Sequence, residues 1–220
     1  WSTHTVNAGE RLEIAATRSG ARCYLCVSGG IDVPRVMGSA STHLLSGMGG
    51  FEGRALRKND VVQLGAGTPP ARPRRVAARV VQALAPGKTL RVTRGPQADA
   101  FSSEARKTML ERVFTVSEES NRMGLRLEGP LLDPGAHGEM ISEGVSLGAI
   151  QVTPAGQAIV LFVEQQTAGG YPKIANVIAA DMHSVGQLRP RDEVRFEIVS
   201  FETARDLWME QQELLGSPDR

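Results

Sequence analysis

The sequence predicts a mainly β protein with a few short helices. Six segments alternate apolar and polar residues between Gly, Pro, Asn or Asp boundaries, namely 11–16, 22–29, 60–65, 89–95, 158–163 and 193–201. Helical spacing is confined to 102–113 and 202–216. Ser102 or Ser103 can cap the first helix, and the second ends at Gly216, with Pro218 beyond it.

Composition limits the function classes. The chain has 220 residues, of which 41% are hydrophobic, enough for one large core or two modest ones. Its 25 Lys and Arg nearly cancel 24 Asp and Glu, which argues against general polyanion binding. The longest apolar run is far below the roughly 20 residues of a membrane span, and no charged-then-apolar leader opens the chain, so we expect a cytoplasmic protein. Trp1 at the start, in place of Met, suggests a fragment whose first strand pairs with an upstream segment.

A proline- and arginine-rich stretch divides the chain. It predicts a linker over 71–88 between a first domain, 1–70, and a second domain, 89–220. The basic cluster Arg72, Arg74, Arg75 and Arg79 is typical of a solvated linker, with a phosphate site as the alternative. Three strands begin alike, with a turn, an acid and then alternation ("AGERLEI", "KNDVVQL", "PRDEVRFEI"), which suggests repeated β units in two related halves.

Several catalytic motifs are incomplete. Cys23 and Cys26 form C-x-x-C inside a strand pattern, where residues three apart face opposite sides, so we expect two buried thiols. Four single histidines, His4, His43, His137 and His183, do not make a zinc site. The Ser- and Gly-rich stretches fit neither a serine hydrolase nor a dinucleotide fingerprint. The glycines of 47–53 indicate a tight turn with positive φ, or backbone N–H groups that face a ligand.

Three polar loops adjoin apolar strands, at 119–130, 141–152 and 164–174. They carry many donors and acceptors without a nucleophile: Asn121, Arg122, Glu143, Gln151, Glu164, Gln165, Gln166 and Thr167. This set suits an amide- or ureido-like ligand, and the alternative is that it satisfies loop backbone groups. We expect the loops to converge on one cleft. In the corner "QQTAGGYP", Gly169 and Gly170 are expected at positive φ, Tyr171 as a wall and Pro172 at the exit.

Six ordered segments carry a family resemblance, among them "SNRMGLRLEGP", "SEGVSLGAIQV" and "QTAGGYPKIANVIAADM". They resemble allophanate hydrolase subunit 2, a family also known as KipA and as the C subunit of ATP-dependent 5-oxoprolinase. The family is similar to half of the carboxyltransferase region of urea carboxylase. The resemblance implies two cyclophilin-like β-barrel domains, of which the first here lacks its N-terminal part.

The resemblance also implies a complex with a subunit 1-like protein, meaning one similar to allophanate hydrolase subunit 1 and to the B subunit of 5-oxoprolinase. It implies a cyclic amide or urea-like substrate and no directly bound cofactor or metal, with carboxybiotin or ATP supplied through the complex. In that chemistry Glu143 or Glu164 is the base. Arg122, Gln166 and Thr167 hold or polarise the ligand, and Gly169 and Gly170 present N–H groups. Asn121, Gln151 and Tyr171 complete the expected substrate site.

Two departures from the family pattern bear on the substrate. Asn121 stands where family members commonly have Asp, and Ala168 where they have Thr, so the substrate can differ from that of better-known members. Two other functions remain open. One is a KipA-like interaction protein that sequesters a subunit 1-like kinase inhibitor. The other is a component of allophanate hydrolase, although the chain has no amidase Ser-Ser-Lys arrangement.

Overall fold

The computed structural model describes residues 1–68, 72–135 and 140–216. Its contacts define two compact units. The larger comprises Trp1, Arg11–Arg22 and Arg75–Arg220, and the smaller comprises Ser2–Glu10 and Cys23–Arg74. The domain limits 1–70, 71–88 and 89–220 stay a prediction. Within 71–88 the structure places a short helix with a buried Val80.

The strands in chain order are β1 (Thr42–His43), β2 (Met48–Gly49), β3 (Thr89–Arg94), β4 (Phe114–Val116), β5 (Gly124–Glu128), β6 (Glu143–Gly144), β7 (Ala149–Val152), β8 (Ala158–Leu161), β9 (Ala168–Gly169), β10 (Lys173–Val177) and β11 (Glu193–Ile198). The helices are α1 (Ala78–Ala83), α2 (Ser103–Glu111), α3 (Met182–Val185) and α4 (Phe201–Gly216). The predicted mainly β class is confirmed.

Seven strands close into a barrel in the larger unit, in the order β10-β3-β11-β4-β5-β8-β7. Neighbours are antiparallel except β3 and β11, which run parallel. Alternate residues fill the interior: Leu90 and Val92 of β3 are buried, and Phe114 packs against Phe196 with ring centroids 5.8 Å apart. The strands predicted at 89–95, 158–163 and 193–201 are present as the slightly shorter β3, β8 and β11, because each has neighbours on both sides to satisfy its backbone.

Both predicted helices are present. Ser102 caps α2, since its Oγ accepts a hydrogen bond from the N–H of Ala105 at 3.0 Å. Helix α4 covers the predicted segment 202–216, and its predicted end after Gly216 falls at the limit of the described residues. None of the four described α-helices lies between β5 and β10 in the chain.

Three predicted strands are wrong: segments 11–16, 22–29 and 60–65 form no described strand, and Leu64 makes only an isolated bridge with Ile31. Most of their large apolar side chains are exposed, Tyr24 to 83%. A strand forms only where a neighbour takes up its N–H and C=O groups, and no described segment pairs with these three along their length. The prediction of buried thiols fails for the same reason, because Cys23 and Cys26 are free and exposed.

The three similar sequence stretches that precede predicted strands form similar turns in the structure. In each turn the acid accepts a hydrogen bond from the N–H three residues earlier, and the residue before the acid has positive φ. The three acids are Glu10, Asp60 and Asp192, and the residues before them are Gly9, Asn59 and Arg191 with φ of 84°, 74° and 70°. The glycine-rich stretch 47–53 is the predicted tight turn, with positive φ at all four of its glycines.

Candidate functional site

An open cleft of about 440 Å³ lies beside β10 in the barrel unit. Its lining residues come from the segment after β3, from β6 and the loop after it, and from β7 and β10: Pro96, Glu143, Gly144, Val145, Ser146, Ala149, Lys173, Ala175 and Asn176. The pairing of β10 with β7 shifts register between Lys173 and Ala175. Such a bulge changes the direction of a strand side chain, so it helps to place Lys173 on the cleft wall.

A buried lysine is the central feature of this cleft. The Lys173 side chain is 5% exposed, and its Nζ lies 2.5 Å from Glu143 Oε1. Gln97 joins the two residues: its Nε2 donates to Glu143 Oε1 at 2.7 Å, and its Oε1 accepts from the backbone N–H of Lys173 at 3.1 Å. Gly95 lets the chain approach β10 closely here, because a Cβ at that position would overlap the Lys173 carbonyl.

The environment of Glu143 sets its charge. The ammonium of Lys173, and then the amide of Gln97, lower the pKa of Glu143 below its ordinary 4.5. Glu143 is therefore a carboxylate at neutral pH. It is able to accept a proton, but the same partners that keep it ionised weaken it as a base. With 44% of its side chain exposed, it can be reached from the cleft.

Ser146 and Asn176 form a second polar pair in the lining. Ser146 Oγ donates to Asn176 Oδ1 at 2.6 Å, and Asn176 Nδ2 donates to the carbonyl of Val177 at 2.8 Å. The donor and acceptor of Asn176 are thus both engaged within the protein. Among the described residues that line the cleft, Lys173 is the one cation and Glu143 the one acid.

Several predicted site residues lie next to Glu143. Strands β6 and β9 pair Glu143 with Gly169 and Gly144 with Ala168. The N–H of Val145 donates to the Thr167 carbonyl at 3.2 Å. Gln151 is 1% exposed and pairs with Lys173 across β7 and β10, and its Nε2 donates to the Tyr171 carbonyl at 3.4 Å. The 143–145 and 167–171 segments are therefore in direct contact, while the lining of one cleft by all three polar loops stays a prediction.

The expected conformation of the glycine corner is wrong. Neither Gly169 nor Gly170 has positive φ. The glycines are needed for space instead, because β9 packs closely on its neighbours. A Cβ on Gly169 would lie 2.5 Å from Gln166 Nε2 and 2.6 Å from Gln151 Nε2, and one on Gly170 would lie 2.9 Å from the Met140 carbonyl.

Arg122, Glu164 and Asn121 form a second group. Arg122 Nη2 lies 3.0 Å from Glu164 Oε1, and the N–H of Glu164 donates to the Arg122 carbonyl at 2.9 Å. Asn121 Oδ1 accepts from the N–H of Met123 at 2.8 Å. These contacts join 121–123 to the start of the 164–172 corner but are not part of the lining of the cleft at Lys173. The substrate roles of this group, like those of Gln166 and Tyr171, stay predictions.

Sequence reasoning missed Lys173, Gln97, Ser146 and Asn176. One signal for Lys173 is its place in "YPKIANVIAA", where a lysine opens an otherwise apolar strand directly after the glycine corner. Among the described residues no three His, Cys, Asp or Glu side chains cluster to hold a metal, and His137 lies outside them. No helix in the described part of the chain is long and apolar enough to cross a membrane.

The fold is shared with solved carboxylase structures. The urea carboxylase of Kluyveromyces lactis superposes on this chain with a TM-score of 0.77 at 30% identity, over 90% of this chain and 19% of that one. The urea amidolyase of K. lactis gives the same TM-score over 13% of its chain. The protein thus has the architecture of a carboxyltransferase domain.

The family follows from sequence. Residues 1–198 match the model of the carboxyltransferase domain, subdomains A and B, and the chain belongs to this family. It is 38% identical to the C subunit of 5-oxoprolinase from Escherichia coli over 94% of this chain, and 32% identical to urea amidolyase of Saccharomyces cerevisiae over 97% of it. The chain spans 66% of the length of the first relative and 12% of the second. The resemblance of the sequence motifs to this family is confirmed.

Proposed function

We propose that this chain is one component of a two-part enzyme and that the cleft at Lys173 and Glu143 holds a small amide or urea-like substrate. The observation that carries the proposal is the buried ammonium with a reachable carboxylate on the wall of this cleft, in a carboxyltransferase-family barrel. The identity to the C subunit of 5-oxoprolinase supports work beside other subunits, among them a subunit 1-like protein.

The residues of the cleft divide the chemistry between them. Lys173 neutralises negative charge on the substrate, in a site where burial strengthens electrostatic interactions. Glu143, kept ionised by Lys173 and Gln97, accepts the proton that the substrate nitrogen loses. The hydrogen-bonded Ser146–Asn176 pair forms another part of the cleft lining. No step in this scheme requires an enzyme nucleophile.

A cofactor reaches this cleft only through the complex. Carboxybiotin, when bound, would supply the carboxyl group for transfer, and one buried ammonium fits one carboxylate of this kind. A nucleoside triphosphate fits this cleft poorly, because the single ammonium of Lys173, already paired with Glu143, does not balance several phosphate charges. We therefore place ATP on another component of the complex.

Reconstitution tests the proposal. The chain is co-expressed with a subunit 1-like protein, and the size of the complex is measured by light scattering. Turnover is then assayed with the ATP-dependent component on 5-oxoproline, and with a biotin carboxylase and carrier on urea. We expect turnover only in the complex, and loss of turnover in Glu143→Gln with complex formation unchanged.

A matched variant, Glu164→Gln, decides between the two candidate bases, since Glu164 is paired with Arg122 away from the cleft lining. Turnover by the isolated chain, or by the Glu143→Gln complex at the wild-type rate, would refute the proposal. Tight association with the subunit 1-like protein and no turnover of either substrate would instead favour a KipA-like sequestering role.

A further inference from the structure

Lys173 has hydrogen-bonding capacity that the described protein does not use. An ammonium has three N–H donors, and burying it in a protein is costly unless they are satisfied. Apart from the ion pair with Glu143, its buried Nζ has no hydrogen-bond partner among the described residues. The partner carboxylate is itself half exposed, so the compensation that it gives is incomplete.

Glu143 does not depend on Lys173 alone for its position. Gln97 holds the same carboxylate oxygen from another side, and Gln97 is fixed by two backbone contacts to Lys173: it accepts from the Lys173 N–H at 3.1 Å and donates its own N–H to the Lys173 carbonyl at 3.2 Å. An anion that enters the cleft can therefore share the ammonium with Glu143 while Gln97 keeps the glutamate in place.

We propose that Lys173 is the specificity-determining residue of this cleft and that it selects a small amide that carries a carboxylate over a neutral amide or urea. The inference rests on the proposed function in that it places the substrate in the same cleft. The carboxylate of the ligand binds Nζ as its second anionic partner. A neutral ligand gains nothing from that contact and leaves the donors of Lys173 unused.

Ligand binding to the isolated full chain tests this inference without a partner protein, a carboxyl donor or a turnover assay. Isothermal titration calorimetry is carried out with 5-oxoproline and with 2-pyrrolidinone, which has the same lactam ring without the carboxylate. We expect saturable binding of 5-oxoproline that is at least about tenfold tighter than that of 2-pyrrolidinone, in the range of a charge-assisted hydrogen bond.

Substitutions assign the preference to Lys173. Lys173→Met keeps most of the apolar stem and removes the charge, so we expect it to weaken 5-oxoproline binding by about tenfold and to change 2-pyrrolidinone binding by less than about twofold. Lys88→Met is the matched control, because Lys88 is also ion-paired, with Asp192 at 3.1 Å, but does not line the cleft. Glu143→Gln removes the competing negative charge and should tighten 5-oxoproline binding. Circular dichroism confirms that each variant is folded.

Any one of four results overturns the inference. The first two are equal affinity for the two lactams and an unchanged affinity for 5-oxoproline in Lys173→Met. The other two are an equal loss of affinity for both lactams in that variant and no saturable binding of 5-oxoproline up to the millimolar range. Weaker 5-oxoproline binding in Glu143→Gln would likewise show that the pair is only structural. The proposed function fails on separate results, namely turnover by the isolated chain, wild-type turnover in the Glu143→Gln complex, or no turnover in the wild-type complex. Turnover that requires the complex and Glu143, but with no carboxylate preference in binding, removes this inference alone.

Discussion

A pair of glycines in the β6–β9 ribbon gives the sharpest prediction. Gly169 and Gly144 lie on opposite strands of this two-stranded pairing, one residue out of register. A Cβ on Gly169 meets Gln151 Nε2 at 2.6 Å, whereas a Cβ on Gly144 has no atom within 4 Å. The substitution Gly169→Ala is therefore expected to be destabilising and Gly144→Ala to be tolerated, although both add the same methyl group to neighbouring positions.

The magnitude follows from the contact. To reach an ordinary separation of 3.4 Å, the new methyl group must move the Gln151 amide by about 0.8 Å. Gln151 is 1% exposed and has little room to move. Overpacking at such a site costs about 1–3 kcal/mol, which lowers the midpoint of thermal unfolding by about 3–10 °C for a chain of this size.

The assay is thermal unfolding of both variants and wild type, followed by far-UV circular dichroism. We expect wild type and Gly144→Ala to have the same midpoint of thermal unfolding, and Gly169→Ala to have a lower one. Because Gly169 pairs with Glu143, the same variant should also weaken 5-oxoproline binding per folded molecule. A midpoint of Gly169→Ala equal to that of wild type, or an equal loss in Gly144→Ala, would show that close packing on Gln151 is not the reason for the glycine.

Three further predictions concern local structure. Ser102→Ala should destabilise the protein by about 1 kcal/mol by removing the cap of α2, with Ser103→Ala nearly neutral; equal urea midpoints would contradict the cap. At Arg191, whose φ is 70°, the Gly variant should be more stable than the Ala variant by about 0.5–1 kcal/mol in urea unfolding, because relief of backbone strain exceeds the added freedom of the unfolded chain. Hydrogen bonds from Arg54, and then from the Arg57 N–H, lower the pKa of Asp60 from 3.8 to about 2. The stability contributed by Asp60 is thus present above pH 3.8 and lost as the pH falls through 2. The difference in unfolding free energy between wild type and Asp60→Asn should therefore shrink over that pH range, and the carboxyl resonance of Asp60 should titrate near 2.

Strand prediction succeeded where the barrel supplies neighbours. Segments 89–95 and 193–201 alternate in sequence and pair with each other in parallel, so pattern and pairing agree. Segments 22–29 and 60–65 have an equally regular pattern, yet their apolar residues are exposed and no continuous ladder forms. Alternation records which face a strand would bury, but the strand itself depends on hydrogen bonds to a distant segment.

The candidate site was predictable in part. The loops at 141–152 and 164–174 were expected to converge, and Glu143, Gln151 and Gly169 lie in contacting segments. Lys173 was missed because its environment depends on Gln97, which is 76 residues away along the chain, and on a register shift within β10. For the glycine corner, the expected positive φ is wrong and the expected approach of its backbone to a ligand stays a prediction, whereas the close packing of both glycines on protein atoms was not foreseen.

The sequence by itself predicted the mainly β class from its alternating pattern, and it determined the three acid-closed turns and a serine cap of α2 at Ser102 or Ser103, because the turns and the cap depend on residues a few positions apart. Only the tertiary structure decided that Lys173 is buried beside Glu143 on a cleft wall and that Gly169 is needed for space around Gln151. The physical reason is that burial, ion pairing and close packing arise between segments joined by closure of the barrel, and these contacts have no counterpart in the local pattern of residues.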